Sequence, residues 1–116
     1  MVNEQAHRER RIVNVLMALV EGEVTTYGDV AETAGYPGRS RLVGRILAET
    51  TVEVPWWRVV TATGRLVPGL QDEQTLLLLA EDVLVRNGHV RDAPLGRFSA
   101  RRSQQGPAVI AQPTNE

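Results

Sequence analysis

Two short helical patterns joined by a tight turn constrain this chain more than anything else in it. TTYGDVAETAG, residues 25–35, begins with Thr26, whose hydroxyl can cap a helix. Asp29 stands three residues on, where a capping box carries an acid. The run ends at Gly35, and YPGRS follows with a proline and a glycine that mark a turn. RLVGRILAE then has the spacing of another helix, with Leu42, Val43 and Ile46 facing inward. Two such helices predict a helix-turn-helix, and the small residues Ala31 and Gly35 suit its close crossing.

The flanking segments fit one domain, the size expected of 116 residues. Residues 8–20 place Ile12, Val15, Leu16, Leu19 and Val20 on one helical face, with Gly22 as a stop. WRVV and GRLV, around a turn at 62–64, predict a small β-hairpin, the wing of a winged helix. A further helix is expected over 72–86, apolar at Leu76, Leu79, Ala80, Val83 and Leu84 and closed by Asn87-Gly88. The predicted fold is mainly α with a small β-hairpin, a winged helix-turn-helix-like domain over 1–96. From 97 to 116 the chain turns polar, and a disordered tail is expected there.

Several chemistries are excluded by what the chain lacks. It has no cysteine, so it can form no disulfide, no thiolate metal site and no thiol nucleophile. His7 and His89 are far apart and their spacing supports no metal, nor is any cofactor indicated. Asp29 and Glu32 are explained by capping and solvation more simply than by general-base chemistry. LLLLA at 76–80 is too short to cross a membrane, and the first residues do not form a secretory signal. A cytoplasmic protein is expected, nucleoid-associated when bound to DNA.

The net charge is −1, yet Arg39, Arg41 and Arg45 share the acid-free window 37–45. A basic face on a near-neutral protein would follow, although three solvated arginines would look the same. In VPWWRVV, Trp56 and Trp57 are two of only five aromatic residues. On an extended chain, neighbours point to opposite faces, so one can fill the core while the other looks elsewhere. The residues alone leave open which is which.

VTTYGDVAETAG, SRLVG, PWWRVV and TGRL, in that order, resemble the DNA-binding domain of the O6-alkylguanine-DNA alkyltransferases over roughly residues 8–92. In that family a PCHRV motif carries the cysteine that accepts the alkyl group. Here PWWRV stands in its place with Trp56 at the cysteine position, which resembles the alkyltransferase-like proteins. The resemblance implies minor-groove binding of duplex DNA containing alkylated guanine, with the damaged nucleotide flipped out of the stack. Tyr27 then presses on the phosphate backbone, Arg41 fills the vacated gap, and Arg39, Ser40, Gly44 and Arg45 accompany them at the DNA. Trp56 lines the lesion pocket with Val54 and Pro55, Val60 and the following loop help close it, and Arg58 supports it.

Trp57 stands where the family has histidine, so the transfer reaction lacks its nucleophile and its base. The resemblance thus implies a non-enzymatic monomeric sensor, with nucleotide excision repair proteins as partners. The loop VPGL, 67–70, lacks polar groups that could contact a lesion. The rival expectation is a winged-helix transcription regulator that binds undamaged DNA with strong sequence preference.

Overall fold

The computed structural model describes residues 3–100. Helix α1 (Glu4–Met17) is capped by the Asn3 side chain, which accepts from the Ala6 amide at 2.7 Å. It buries Ile12 and Leu16, while Val15 and Leu19 are half-buried. Val20 lies beyond the helix and is exposed, contrary to the sequence pattern.

Strand β1 (Glu23–Thr26) leads directly into helix α2 (Tyr27–Thr33). Thr26 caps α2 as expected, accepting from the Asp29 amide at 3.1 Å. Asp29 does not complete a recorded capping box; its carboxylate pairs with Arg97 at 2.6 Å. At the far end, the Tyr36 amide donates to the Ala31 carbonyl and the Gly35 amide to Glu32. That is a Schellman cap, and Gly35 supplies the left-handed residue it needs, at φ 98°. Arg11 of α1 seals the same end by donating to the Ala34 carbonyl at 2.9 Å. Helix α3 (Ser40–Glu49) follows the turn and buries Leu42, Val43 and Ile46. These two helices and α1 form the predicted helix-turn-helix and its support.

The expected hairpin around 62–64 is not a ladder. Strand β2 (Val59–Val60) pairs in parallel with β1, matching Thr25 to Val59 and Thr26 to Val60. The turn itself forms, with the Gly64 amide donating to Thr61, but Arg65 then bridges to His89. Val59 and Val60 are both buried, which suits a strand covered on both faces better than an exposed wing. β5 (Leu95–Gly96) completes the sheet in the order β2-β1-β5.

The hairpin of this fold lies later, in β3 (Leu84–Arg86) and β4 (His89–Asp92). Asn87 and Gly88 turn it with φ of 54° and 74°, as a type I′ turn requires. The helix expected over 72–86 is therefore shorter, α4 at Gln71–Leu79. It buries Gln74 and Leu78, whereas Leu76, Leu79, Ala80 and Leu84 are exposed; of the expected inward set only Val83 is buried. A continuous leucine run carries no 3.6-residue phase, so it could not reveal its own inward face.

Two hydrophobic clusters meet at the small sheet. Ile12, Leu16, Val30, Ala31, Val43, Ile46 and Val59 belong to the first, and Val24, Val60, Leu66, Leu78, Val83 and Val90 to the second. Val59 and Val60 send side chains to opposite clusters, the period of a strand. Arg97–Ala100, assigned to the tail on sequence, join this body: Phe98 packs on the second cluster and the Ala100 amide donates to Asp92 at 2.9 Å. The remainder of the expected tail, 101–116, lies outside the described residues. No described helix is long and apolar enough to cross a membrane, and the described residues hold no group of acids and histidines fit for a metal.

Candidate nucleic-acid interface

Tyr27 opens α2 and stands half-buried against the first cluster. Burial pushes its phenol above 10.0, so it stays neutral. Across the turn, Ser40, Arg41 and Gly44 lie along α3. Together with Thr26, Tyr27, Gly28, Thr61 and Ala62 they line a groove of ≈450 Å3. A Cβ at Gly28 or Gly44 would meet nothing within 4 Å. No packed neighbour demands glycine there, so the room lies on the open side, free for another molecule's approach.

The groove continues into a second space. Tyr27 and Gly44 also line a cavity of ≈370 Å3 with Leu47, Ala48, Trp56, Val67 and Leu70. Arg41, Tyr27 and Trp56 thus line two spaces that share Tyr27 and Gly44. Leu47 and Ala48 had escaped the sequence reading, because only the folded chain brings α3 to the 67–70 loop. This lining contains no charged side chain.

The remaining candidates separate. Arg39 is exposed at the start of α3. Arg45 turns away, into a hollow of ≈140 Å3 beside Glu9 and Glu49. Val54, Pro55 and Arg58 line a different cavity, of ≈570 Å3, on the other side of Trp56. Val60 is fully buried in β2 and lines neither space. Three of the expected pocket residues therefore border Trp56 from behind, and Val60 is core.

The tryptophan pair sits on a 3₁₀ turn (Trp56–Arg58), not on extended chain. Its rings are edge-to-face, with centroids 6.2 Å apart and planes at 89°. Trp56 packs against the first cluster and Trp57 against the second, so the two do part company. Trp57 is the structural one. Its indole N–H donates to Glu81 at 2.8 Å, and the Arg58 guanidinium lies 5.2 Å from its ring centroid.

Glu81 is the anchor that sequence reasoning missed. Its carboxylate accepts from Arg58 Nη2 at 2.7 Å and Nε at 3.0 Å, from Trp57, and from the Gly22 amide at 2.8 Å. Burial alone would raise its pKa. The bonds from Arg58, Gly22 and Trp57, with the Arg58 charge, outweigh burial and hold it below 4.5. Arg58 also donates to the Leu19 carbonyl at 2.9 Å, tying the turn to the end of α1. Gln74, fully buried, completes the support. Its Nε2 donates to the carbonyls of Trp57 and Val59, and its Oε1 accepts from the Val67 amide at 2.7 Å. Neither residue carries a local sequence signal, since every partner is distant along the chain.

Known proteins resemble this chain in sequence and in fold. The family model for the 6-O-methylguanine DNA methyltransferase DNA-binding domain matches residues 7–83. The DNA base-flipping protein of Escherichia coli K12 is 43% identical over 81 residues, covering 66% of this chain and 62% of the relative. The methylated-DNA–protein-cysteine methyltransferase of Mycolicibacterium paratuberculosis is 38% identical over 76 residues, 61% of this chain and 46% of the relative. The chain thus spans about half to three fifths of these relatives' lengths. Among solved structures, S. pombe Atl1 in complex with damaged DNA containing O6-carboxymethylguanine superposes with a TM-score of 0.63. That match covers 74% of this chain and 83% of the other at 24% identity, and speaks to fold alone. Mycobacterium tuberculosis OGT in complex with DNA gives a TM-score of 0.57 at 31% identity, covering 63% and 48%.

Proposed function

The chain belongs to the 6-O-methylguanine DNA methyltransferase DNA-binding domain family, and from that premise we propose that it senses alkylated guanine in duplex DNA without repairing it. The observation that carries this reading is Trp56. It stands at the family's cysteine position, beside a cavity it shares with Tyr27, in a chain that has no cysteine at all.

In this reading α3 enters the minor groove with Ser40, Arg41 and Gly44 leading. Tyr27, neutral and backed by the first cluster, presses on a phosphate. The damaged guanine rotates into the cavity, whose ≈370 Å3 falls within the range of about 300–1,000 Å3 common for small-ligand sites. Rotation costs a few kcal/mol of stacking and pairing. Arg41, which makes no ion pair among the described residues, recovers part of that by stacking in the gap and attracting phosphate. The indole face of Trp56 holds the flat base and its alkyl group.

Nothing in the cavity can accept that group covalently, so the lesion is held and handed on. Nucleotide excision repair proteins are the natural recipients for damage that is bound but left in place. Support for base flipping comes from the name of the Escherichia coli relative. A single flipped base calls for a single copy of the chain.

The test is a binding titration of matched duplexes, with and without one O6-methylguanine, in moderate salt. The lesion duplex should bind more tightly, and the base recovered after long incubation should still be O6-methylguanine. Equal affinity for both duplexes would overturn the sensor reading, and recovery of guanine would overturn its non-enzymatic part.

A further inference from the structure

Trp56 and Leu47 each line two cavities. One is the ≈370 Å3 space shared with Tyr27. The other, of ≈570 Å3, lies on the far side and is bounded by Met17, Leu19, Val52 and Val54 among others. The two side chains are therefore the partition between them.

No polar bond among the described residues holds the Trp56 ring in that partition. Its indole N–H makes no hydrogen bond among the described residues, while the Trp57 ring is held by Glu81 at 2.8 Å. Its edge-to-face contact with Trp57, at 6.2 Å, breaks no polar bond if the Trp56 ring turns. It is also only half-buried. The space behind it is lined by Met17, Leu19, Val52, Val54 and Pro55 together with the polar Thr50, Glu53 and Arg58, and Arg58 is engaged by Glu81.

We propose that the far cavity is a second subsite, which receives the distal end of a long apolar O6 substituent when Trp56 turns aside. The proposal rests on the reading that damaged guanine enters the nearer cavity. A methyl group ends before the partition and leaves Trp56 in place. A chain of several carbons runs into it, and turning the ring then exchanges one apolar contact for burial of the added methylenes, each of which is favourable. The range of lesions accepted is thereby set by Trp56 and by residues that never touch a methylated base.

The experiment compares duplexes carrying O6-methylguanine and O6-octylguanine, titrated with the full chain and with two variants that fill the far cavity from opposite walls. Val52 and Met17 line that cavity and not the nearer one. Val52→Trp, and separately Met17→Trp, should weaken octyl binding by about tenfold or more while methyl binding stays within about twofold. If neither variant changes the octyl-to-methyl ratio, or if both affinities fall together, the second subsite is wrong. A parent chain that fails to prefer the methyl lesion over undamaged duplex sinks the sensor reading itself. A sound methyl preference with an unchanged ratio sinks only the subsite.

Discussion

Trp57 donates its indole N–H to the Glu81 carboxylate over 2.8 Å, and this bond separates the roles of two adjacent tryptophans. The ring that is pinned becomes structure, and its neighbour is left to face a cavity. Glu81 also takes three bonds from Arg58 and one from Gly22, joining the turn after α4, the 3₁₀ turn and the residue before β1. Arg58 and Glu81 keep only 14% and 9% of their side chains exposed, so solvent screens this pair little. Removing one partner strands the other charge. Glu81→Ala should cost about 3–5 kcal/mol of stability in urea unfolding. A loss no larger than that of a surface substitution would show that the network is incidental.

The same carboxylate makes stability depend on pH. Its pKa in the fold lies below the usual 4.5, so between the two values the unfolded chain binds more protons than the folded one. The contribution is complete above 4.5 and disappears as pH falls through the folded value. Unfolding free energy measured downward from neutral pH should therefore decline below 4.5, and Glu81→Gln should flatten that decline relative to the parent. Parallel curves for the two proteins would assign the acid sensitivity to other groups.

What could be read from the sequence was local. The α2–turn–α3 unit was legible because Thr26 and the Gly35 cap act within a few residues of themselves. The wing was misplaced because two valines followed by a turn look alike in an antiparallel hairpin and in a parallel strand covered on both faces. The partner of Val59 is Thr25, far back along the chain. Asn87-Gly88 ends helices and turns hairpins equally well, and a leucine run without a phase of its own could not mark where α4 stops. At the site, Tyr27, Arg41 and Trp56 came from motif order, while Leu47, Gln74 and Glu81 needed the fold to bring them near.

Gln74 links the tryptophan turn to the loop that faces the ≈370 Å3 cavity. Gln74→Leu keeps the buried volume but leaves the Val67 amide and the carbonyls of Trp57 and Val59 without that partner. A cost of about 2–4 kcal/mol is expected, from several buried polar groups left unsatisfied. Hydrogen exchange should report it locally as faster exchange at the Val67 amide. Unchanged protection there would mean that the loop holds its position by other contacts.

Arg41 and Tyr27 should fail in different ways, which makes them the sharpest joint test of the interface. Arg41 is exposed on α3 and lines the groove, and in the proposed reading it meets DNA through charge. Arg41→Ala should weaken lesion binding by about tenfold and reduce the slope of log affinity against log salt by about one contact. Tyr27 is neutral, so Tyr27→Ala should leave that slope alone. Its loss should appear instead in flipping, as a smaller signal from a fluorescent base analogue placed beside the lesion. Tyr27→Phe separates the ring from the hydroxyl: retained flipping assigns the push to the ring packed on the first cluster, and lost flipping assigns it to a bond from the phenol. Should both alanine variants bind and flip an O6-methylguanine duplex as the parent does, the groove between α2 and α3 is not where this protein meets DNA.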